Sequence, residues 1–326
     1  MESVKEERFV LKVVEMYYKQ GLSQSEIGKK LNVSRTKISR TLSRARTEGY
    51  VQIKINYPKN SMISVEEQLE KKFGLKEAII AYERDSESIS DEVAFLASDY
   101  IVRVLKNKMI LALTRGTTLQ KTIACLEHDM RLKFLKLEDV KVIPLMGATN
   151  ISLEEDKNYR AAYSNYLIDE AARIINANSY QILAPQYVTD PGVKENLMKE
   201  ETVKEVIDLA KNADIAVFGI GTLNENSATI NAKIVPMEEF KRLQEKGGVG
   251  EVLSRVFDKE GNLISDDFDR RLICLGLEDL KKIPIRVGVA YGIEKTDAIL
   301  GALRGGIVNV LITDSEVAAA LNQNRR

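Results

Sequence analysis

Met109-Ile-Leu-Ala-Leu-Thr-Arg-Gly-Thr-Thr118 is the stretch on which the fold turns. The run Met109–Leu113 is apolar throughout and too short for a typical helix, so it reads as a buried strand. It passes into Arg115-Gly116-Thr117-Thr118-Leu119, where helical spacing begins. A strand that leaves through a glycine and opens a helix puts unpaired N–H groups and two hydroxyls at one point, a cradle for a phosphate. An ordinary helix cap has the same composition, so its position among its neighbours carries the reading.

Outward from this point the chain alternates. Apolar runs at Leu75–Ala81, Val140–Leu145, Tyr180–Leu183, Ile215–Phe218, Ile285–Ala290 and Val308–Ile312 read as strands. Helical patterns lie at Val65–Phe73, Asp91–Leu105, Thr118–Leu126, Arg160–Asn176, Lys194–Ala210, Glu238–Lys246, Lys295–Leu303 and Asp314–Leu321. Non-alternating strands separated by helices predict an α/β domain with a doubly wound, mostly parallel sheet, its ligand at the strands' C-terminal ends. Stretch 249–275 breaks the rhythm and reads as a β-rich insertion or an edge hairpin. At the same sheet end fall Gly147, Phe218-Gly219-Ile-Gly221 and Gly292-Ile-Glu-Lys295-Thr-Asp297. A dinucleotide fingerprint would need a glycine where Asn224 stands, so Gly219 and Gly221 read as a ligand-lining loop or a tight strand exit. Lys295 is a candidate anion partner or a solvated helix-start lysine; Glu251 is a candidate for sugar hydroxyls or a surface carboxylate.

The first sixty residues differ. Val4, Val10, Leu11, Val14, Tyr17 and Tyr18 predict a helix ended by Gly21. Ser23 with Glu26 three residues on is a capping-box pattern for a second helix that buries Ile27 and Leu31 and breaks at Asn32. Ser34 caps a third, with Ile38, Leu42 and Ala45 inward and Arg35, Thr36, Lys37, Ser39, Arg40, Ser43, Arg44 and Arg46 on its other faces. Val51, Ile53 and Ile55 alternate as a short strand. The sum is a helix-turn-helix with a possible wing, whose third helix fits a major groove. Ser34, Arg35, Thr36, Lys37 and Arg40 are its expected DNA surface, with Arg35 and Thr36 as base readers, Lys37 and Arg40 on phosphates, and Lys29 and Lys30 on the backbone. A three-helix protein-binding domain is the alternative.

Charge separates the same two parts. Over 326 residues, 48 basic and 48 acidic side chains cancel, and the whole-chain balance argues against nucleic acid. Residues 1–60 hold 13 basic and 6 acidic side chains, a net of +7; the other 266 hold 35 and 42, a net of −7. Seven bases and no acid lie between Glu26 and Glu48. With the turn-rich Tyr57–Ser61, this predicts domains at 1–57 and 58–326. Met1–Arg8 is too acidic and polar for a signal peptide, and no run of ~18 apolar residues exists, so a cytoplasmic protein without a membrane partner is expected. Cys125 and Cys274 are expected as reduced core thiols. The single His128 supports no multi-histidine metal site and reads as surface or filler; no metal or cofactor is expected.

In this order, the motifs resemble the SorC (DeoR-like) sugar-binding bacterial transcriptional regulators over nearly the whole chain. The resemblance rests on the helix-turn-helix at Gly21–Tyr50, Leu69-Glu-Lys-Lys-Phe73-Gly-Leu75, Gly116-Thr-Thr-Leu119, Ala184-Pro185 and Ala213-Asp214 leading to Gly219-Ile-Gly221. It continues through Gly248-Val-Gly250-Glu251, Phe257-Asp258 with Gly261, Gly276-Leu-Glu-Asp-Leu280, Lys295 with Ala298-Ile299, and Val308-Asn-Val-Leu-Ile-Thr-Asp314. It implies an effector domain similar to sugar-phosphate isomerases and CoA transferases, a phosphorylated-sugar effector, and a homotetramer (a dimer of dimers) on double-stranded operator DNA. It implies that Gly116, Thr117 and Thr118 hold phosphate and that Glu251 and Lys295 line the sugar site with Asn165 and Asp297. Some relatives carry a basic residue after the strand matching Val142–Leu145, where this chain has Met146-Gly147; Arg115 is the candidate substitute. Two other classes remain: a sugar-phosphate isomerase or deaminase with Glu251 or Asp258 as base, and a protein-interaction scaffold.

Overall fold

The computed structural model describes residues 2–53, 61–82, 88–149, 164–223, 227, 236–264 and 267–323. The chain divides into two compact units, residues 1–60 and 61–326.

In the first unit, α1 (Glu2–Val14) runs into a π-helical turn (Glu15–Lys19), followed by α2 (Gln24–Leu31) and α3 (Arg35–Thr47). The capping box forms: Ser23 Oγ accepts from Glu26 N–H at 3.3 Å, and Glu26 Oε2 accepts from Ser23 N–H at 2.8 Å. Ser34 Oγ accepts from Lys37 N–H at 3.2 Å and starts α3. Val13, Met16, Ile27, Ile38 and Leu42 form the core. The helix predicted from the first apolar positions forms, with Val10, Val13 and Met16 inward and Leu11 and Tyr18 45% and 38% exposed. Leu11 lies on the face of α1 next to Val10, and the π turn, which holds more residues per turn than an α-helix, shifts the phase only beyond Val14, where Tyr18 falls. The strand expected at 51–55 is not formed at Val51–Ile53 (the last two positions lie outside the described residues), and no partner strand occurs among the described residues of this unit.

The second unit runs α4 (Ile63–Phe73), β1 (Glu77–Ala81), α5 (Ile89–Val104), β2 (Ile110–Leu113), α6 (Thr117–Glu127), β3 (Lys141–Pro144), α7 (Ser164–Ile175), β4 (Asn178–Ser179), α8 (Pro191–Leu197), α9 (Glu201–Lys211) and β5 (Ile215–Gly219). It continues with α10 (Met237–Glu245), a hairpin of β6 (Gly248–Val252) and β7 (Arg255–Asp258), α11 (Leu277–Leu280), β8 (Ile285–Val289), α12 (Thr296–Arg304), β9 (Val310–Asp314) and α13 (Ser315–Gln323). The seven strands β1-β9-β8-β5-β2-β3-β4 pair in parallel throughout. Strand periodicity divides the core. Leu111, Leu113, Ile215, Val217, Val310 and Ile312 pack with α5, α6 and α7. Ala112, Ala216, Phe218 and Leu311 face the layer of α4, α10, α12 and α13. The doubly wound reading holds, and the antiparallel hairpin sits inside the stretch read as a β-rich insertion.

Two segments differ from expectation. The ladder meets Asn178–Ser179 rather than Tyr180–Leu183; Leu183 is 67% exposed, as an edge position permits. The single helix expected over Lys194–Ala210 is two, α8 and α9, because Glu200 takes an extended ψ of 128° and restarts the chain so that Val203, Val206, Ile207 and Ala210 can bury one face. Residues 160–163 of the expected helix before β4 lie outside the described residues. Both cysteines are unpaired, Cys274 buried and Cys125 half-buried, and His128 is exposed at the end of α6.

Candidate functional site

The first unit presents one face. Ser34, Arg35, Thr36, Lys37 and Arg40 are exposed along the start of α3, and Lys29 and Lys30 are exposed at the end of α2. A shallow depression between the two helices is lined by Ser25, Gly28, Lys29, Asn32, Ser34 and Arg35. The helix sorts its own bases. Arg44 pairs with Glu6 at 2.5 Å and Glu48 at 2.7 Å, and Arg46 Nε donates to Tyr18 Oη at 2.9 Å. Lys37 Nζ lies 5.3 Å from the Phe9 ring centroid, a cation–π contact that steadies it at the surface.

In the second unit the strand order reverses between β2 and β5: from β2 the chain moves toward β3 and β4, then returns to place β5 on the other side. Such a reversal opens a crevice at the strands' C-terminal ends. A cavity of about 170 Å³ lies there. Gly116, with φ at 137°, stands at the N-cap of α6 and supplies no side chain to cap its opening N–H groups. Thr117 and Thr118 follow at the cavity wall, and the buried Thr114 Oγ1 has no hydrogen-bond partner among the described residues. An unpaired buried hydroxyl is costly and points to a missing acceptor or donor.

Charge gathers around the same space. Arg115 is 8% exposed, and burial pushes its guanidinium down to about 10 against the opposing pull of Glu251. Burial also lowers the Lys295 amine, countered by Glu294, Glu251 and Asp314. Lys295 ends the turn that leads from β8 into α12, and its Nζ lies 5.3 Å from the Tyr291 ring centroid. The turn is anchored from behind: Asp314 Oδ2 accepts from Gly292 N–H at 2.7 Å, and Asp314 Oδ1 accepts from Glu316 and Val317 N–H at 2.8 and 2.9 Å.

The hairpin closes the space from the β5 side. Gly221 and Glu251 exchange backbone hydrogen bonds, both 2.9 Å. A Cβ on Gly221 would stand 2.5 Å from Glu251 Oε1, so a larger residue would have to displace the carboxylate. Glu251 is buried, not a surface carboxylate, and its Oε2 accepts from Ser254 N–H at 2.7 Å. The hairpin turns at Leu253-Ser254, with φ of 58° and 60°. Two-residue hairpin turns with both φ positive favour Asn-Gly; a leucine held there is strained, and such strain concentrates at ligand sites.

Arg115, Gly116, Thr117, Thr118, Gly219, Gly221, Glu251 and Lys295 are thus brought to one cavity. Gly147, Asn165 and Asp297 are placed outside its lining. Gly147 is a packing glycine, since a Cβ would meet Ala184 O at 2.6 Å. Asn165 is half-buried at the start of α7, its Oδ1 without a partner among the described residues. Asp297 is exposed in the first turn of α12. Thr114, Thr222, Ser227, Leu253 and Ser254 also line the cavity and escaped the sequence reading. Thr114 was within reach of it, as the strand-exit residue beside Arg115; the hairpin turn carries no Gly or Asn to mark it.

Comparison with known proteins follows the same division. Residues 57–322 match the Sugar-bind family, described as "Putative sugar-binding domain", and residues 11–48 match region 4 of Sigma-70. The chain is 28% identical to the sorbitol operon regulator of Klebsiella pneumoniae over 98% of its own length and 99% of the relative's. It is 30% identical to the deoxyribonucleoside regulator of Bacillus subtilis, covering 95% of this chain and 96% of that one. The crystal structure of full-length SorC from Klebsiella pneumoniae superposes with a TM-score of 0.71 at 28% identity, over 97% of this chain and 98% of that one. Among the described residues no helix is long and apolar enough to cross a membrane.

Proposed function

The chain belongs to the sugar-binding family of SorC-type transcriptional regulators, and from that premise we propose that a phosphorylated sugar in the second unit controls how tightly the first binds operator DNA. In this reading, residues 1–57 read double-stranded DNA and residues 58–326 bind effector and assemble a homotetramer. The protein regulates rather than catalyses. Arg35 and Thr36 contact base edges, Lys37 and Arg40 contact phosphates, Ser34 sets the helix start, and Lys29 and Lys30 touch the backbone.

The observation that carries the effector assignment is the cavity at the strand-order reversal. Among the described residues it combines a helix N-terminus, a Thr114 hydroxyl without a hydrogen-bond partner, and two cations against one carboxylate. Phosphate suits the Gly116–Thr118 end, with Arg115 and Lys295 as counter-charges; Glu251 suits sugar hydroxyls, Gly219 leaves room for them, and Gly221 leaves room for the Glu251 carboxylate itself. Asn165 remains a candidate contact through its Oδ1, which has no partner among the described residues; Gly147 and Asp297 have no part in this reading.

The test is operator binding by the full chain with and without a panel of pentose and hexose phosphates and the matching free sugars. A phosphorylated sugar should shift both operator affinity and thermal stability, and its free sugar should not. If no phosphorylated sugar moves either quantity, the effector assignment is wrong. If the chain fails to bind operator at low salt, the DNA assignment is wrong.

A further inference from the structure

Gln186 lies just outside the cavity lining and is 1% exposed. Its backbone is clamped from both sides: Gln186 N–H donates to Ala148 O, and Ile273 N–H donates to Gln186 O, each at 2.8 Å. The side chain therefore starts from a fixed point. Its Oε1 accepts from Arg115 Nε at 3.2 Å, and its Nε2 donates to Ser254 Oγ at 2.7 Å. Ser254 N–H in turn donates to Glu251 Oε2 at 2.7 Å. One buried amide thus stands between the arginine at the phosphate end and the strained hairpin turn whose Ser254 holds the Glu251 carboxylate.

The residue type matters. Buried arginines are most often met by a carboxylate, which gives a strong, charge-assisted pair. The described residues lining the cavity include Arg115, Lys295 and Glu251 as their only ionisable side chains. A glutamate at 186 would keep the shape and the bond to Arg115 but would balance those charges. The amide keeps the shape and the bond and adds no charge.

We infer that Gln186 is the positioning residue that makes the cavity select an anion: it fixes the Arg115 guanidinium in place without neutralising it. The inference rests on the phosphorylated-sugar reading and goes beyond it by naming the residue that sets the site's charge preference. Gln186 itself touches no ligand; it acts through Arg115.

The experiment uses the full chain and the isosteric substitution Gln186→Glu, with inorganic phosphate and the sugar-phosphate panel as probes in calorimetry and thermal-shift titrations. Affinity should fall at least tenfold for every anionic probe that binds the wild type, while ligand-free operator affinity stays the same. Gln186→Met, which loses both hydrogen bonds but adds no charge, should cost less than about fivefold; it also serves should the glutamate variant fold poorly. In an Arg115→Met background the glutamate substitution should have no further effect, the mark of action through that arginine. A purely structural Gln186 predicts that both substitutions weaken binding equally and independently of Arg115, and that result overturns the inference. So does a Gln186→Glu chain that binds the anions as the wild type does. If the wild type binds neither inorganic phosphate nor any sugar phosphate, the underlying effector reading falls as well, which separates the two failures.

Discussion

The α3 face of the first unit and the cavity of the second are built on opposite plans. On the first unit the side chains proposed to meet DNA lie between Lys29 and Arg40, at the end of α2 and the start of α3, and all of them are exposed. Around the cavity they come from the ends of β2, β5 and β8 and from a hairpin turn, and they are tied to one another through buried polar groups. An exposed face can be altered one residue at a time with little consequence for folding. A cross-braced cavity should respond as a unit, with substitutions that do not add.

The largest effect is expected at Asp314. It is 3% exposed and accepts three backbone N–H bonds, one from the turn leading to Lys295 and two from the start of α13. Asp314→Ala takes the acceptor from one buried and two partly buried N–H groups, and each buried donor left unsatisfied costs about 1–3 kcal/mol. Urea unfolding of the full chain should show that loss, together with weaker effector binding. A loss below about 1 kcal/mol would mean that the bracing behind the cavity is dispensable and would blur the contrast.

Next is Arg35→Ala on the exposed face. If Arg35 reads a base, operator affinity should drop by ~1–3 kcal/mol and specificity should relax at one base pair. The thermal midpoint should not move, because the side chain is exposed and no packing is lost. A mobility-shift titration alongside a melting curve checks both; a loss of affinity that comes with a loss of stability would show that this face is braced too.

The same contrast explains what could be read from the residues alone. The first unit was legible because its signals are local: Ser23 with Glu26, Ser34 before Arg35, and an acid-free basic run. The strand order was foreseeable only as a class, since parallel pairing follows from alternation but nothing local decides that β5 lies beside β2. Gly116-Thr-Thr marked the phosphate end because a strand exit and a helix start coincide there. Gly147 and Gly221 show the limit. Both are glycines near strand ends, yet one makes room for Ala184 and the other for Glu251, and only the partner's position tells them apart. The hairpin turn and Gln186 were out of reach, because their roles depend on contacts 68 to 71 residues away in the chain.

A smaller effect separates bracing that costs stability from bracing that adds it. β1 is an edge strand, and α4 covers it: Glu70 Oε1 accepts from Ala78 N–H at 3.0 Å and Glu66 Oε1 from Ile80 N–H at 2.9 Å. Burial, aided by Glu70 and Glu77, holds the Glu66 carboxyl above its ordinary value of 4.5. A raised carboxyl in the folded chain means that ionisation is resisted there. The penalty is absent below the ordinary value, grows as pH rises above it, and is complete once pH passes the folded-state value. Glu66→Gln keeps an acceptor for Ile80 and removes the charge, so it should raise the melting temperature slightly at neutral pH and not at acid pH. An equal gain at both would assign the effect to something other than charge.

The smallest effect compares two arginines on one helix. Arg40 and Arg44 are both exposed on α3, one turn apart, and a count of bases would treat them alike. Arg44, however, is held by Glu6 and Glu48, while Arg40 has no ion pair among the described residues. A side chain already neutralised by its own unit releases little when DNA arrives, whereas one that exchanges solvent for phosphate displaces a condensed counterion. Arg40→Ala should therefore reduce the slope of log affinity against log salt by about 1, and Arg44→Ala should leave it nearly unchanged. Titrations of each variant across a salt series decide it. Equal slopes would mean that the ion pairs of Arg44 open on DNA and that the exposed face extends a full turn further along the helix.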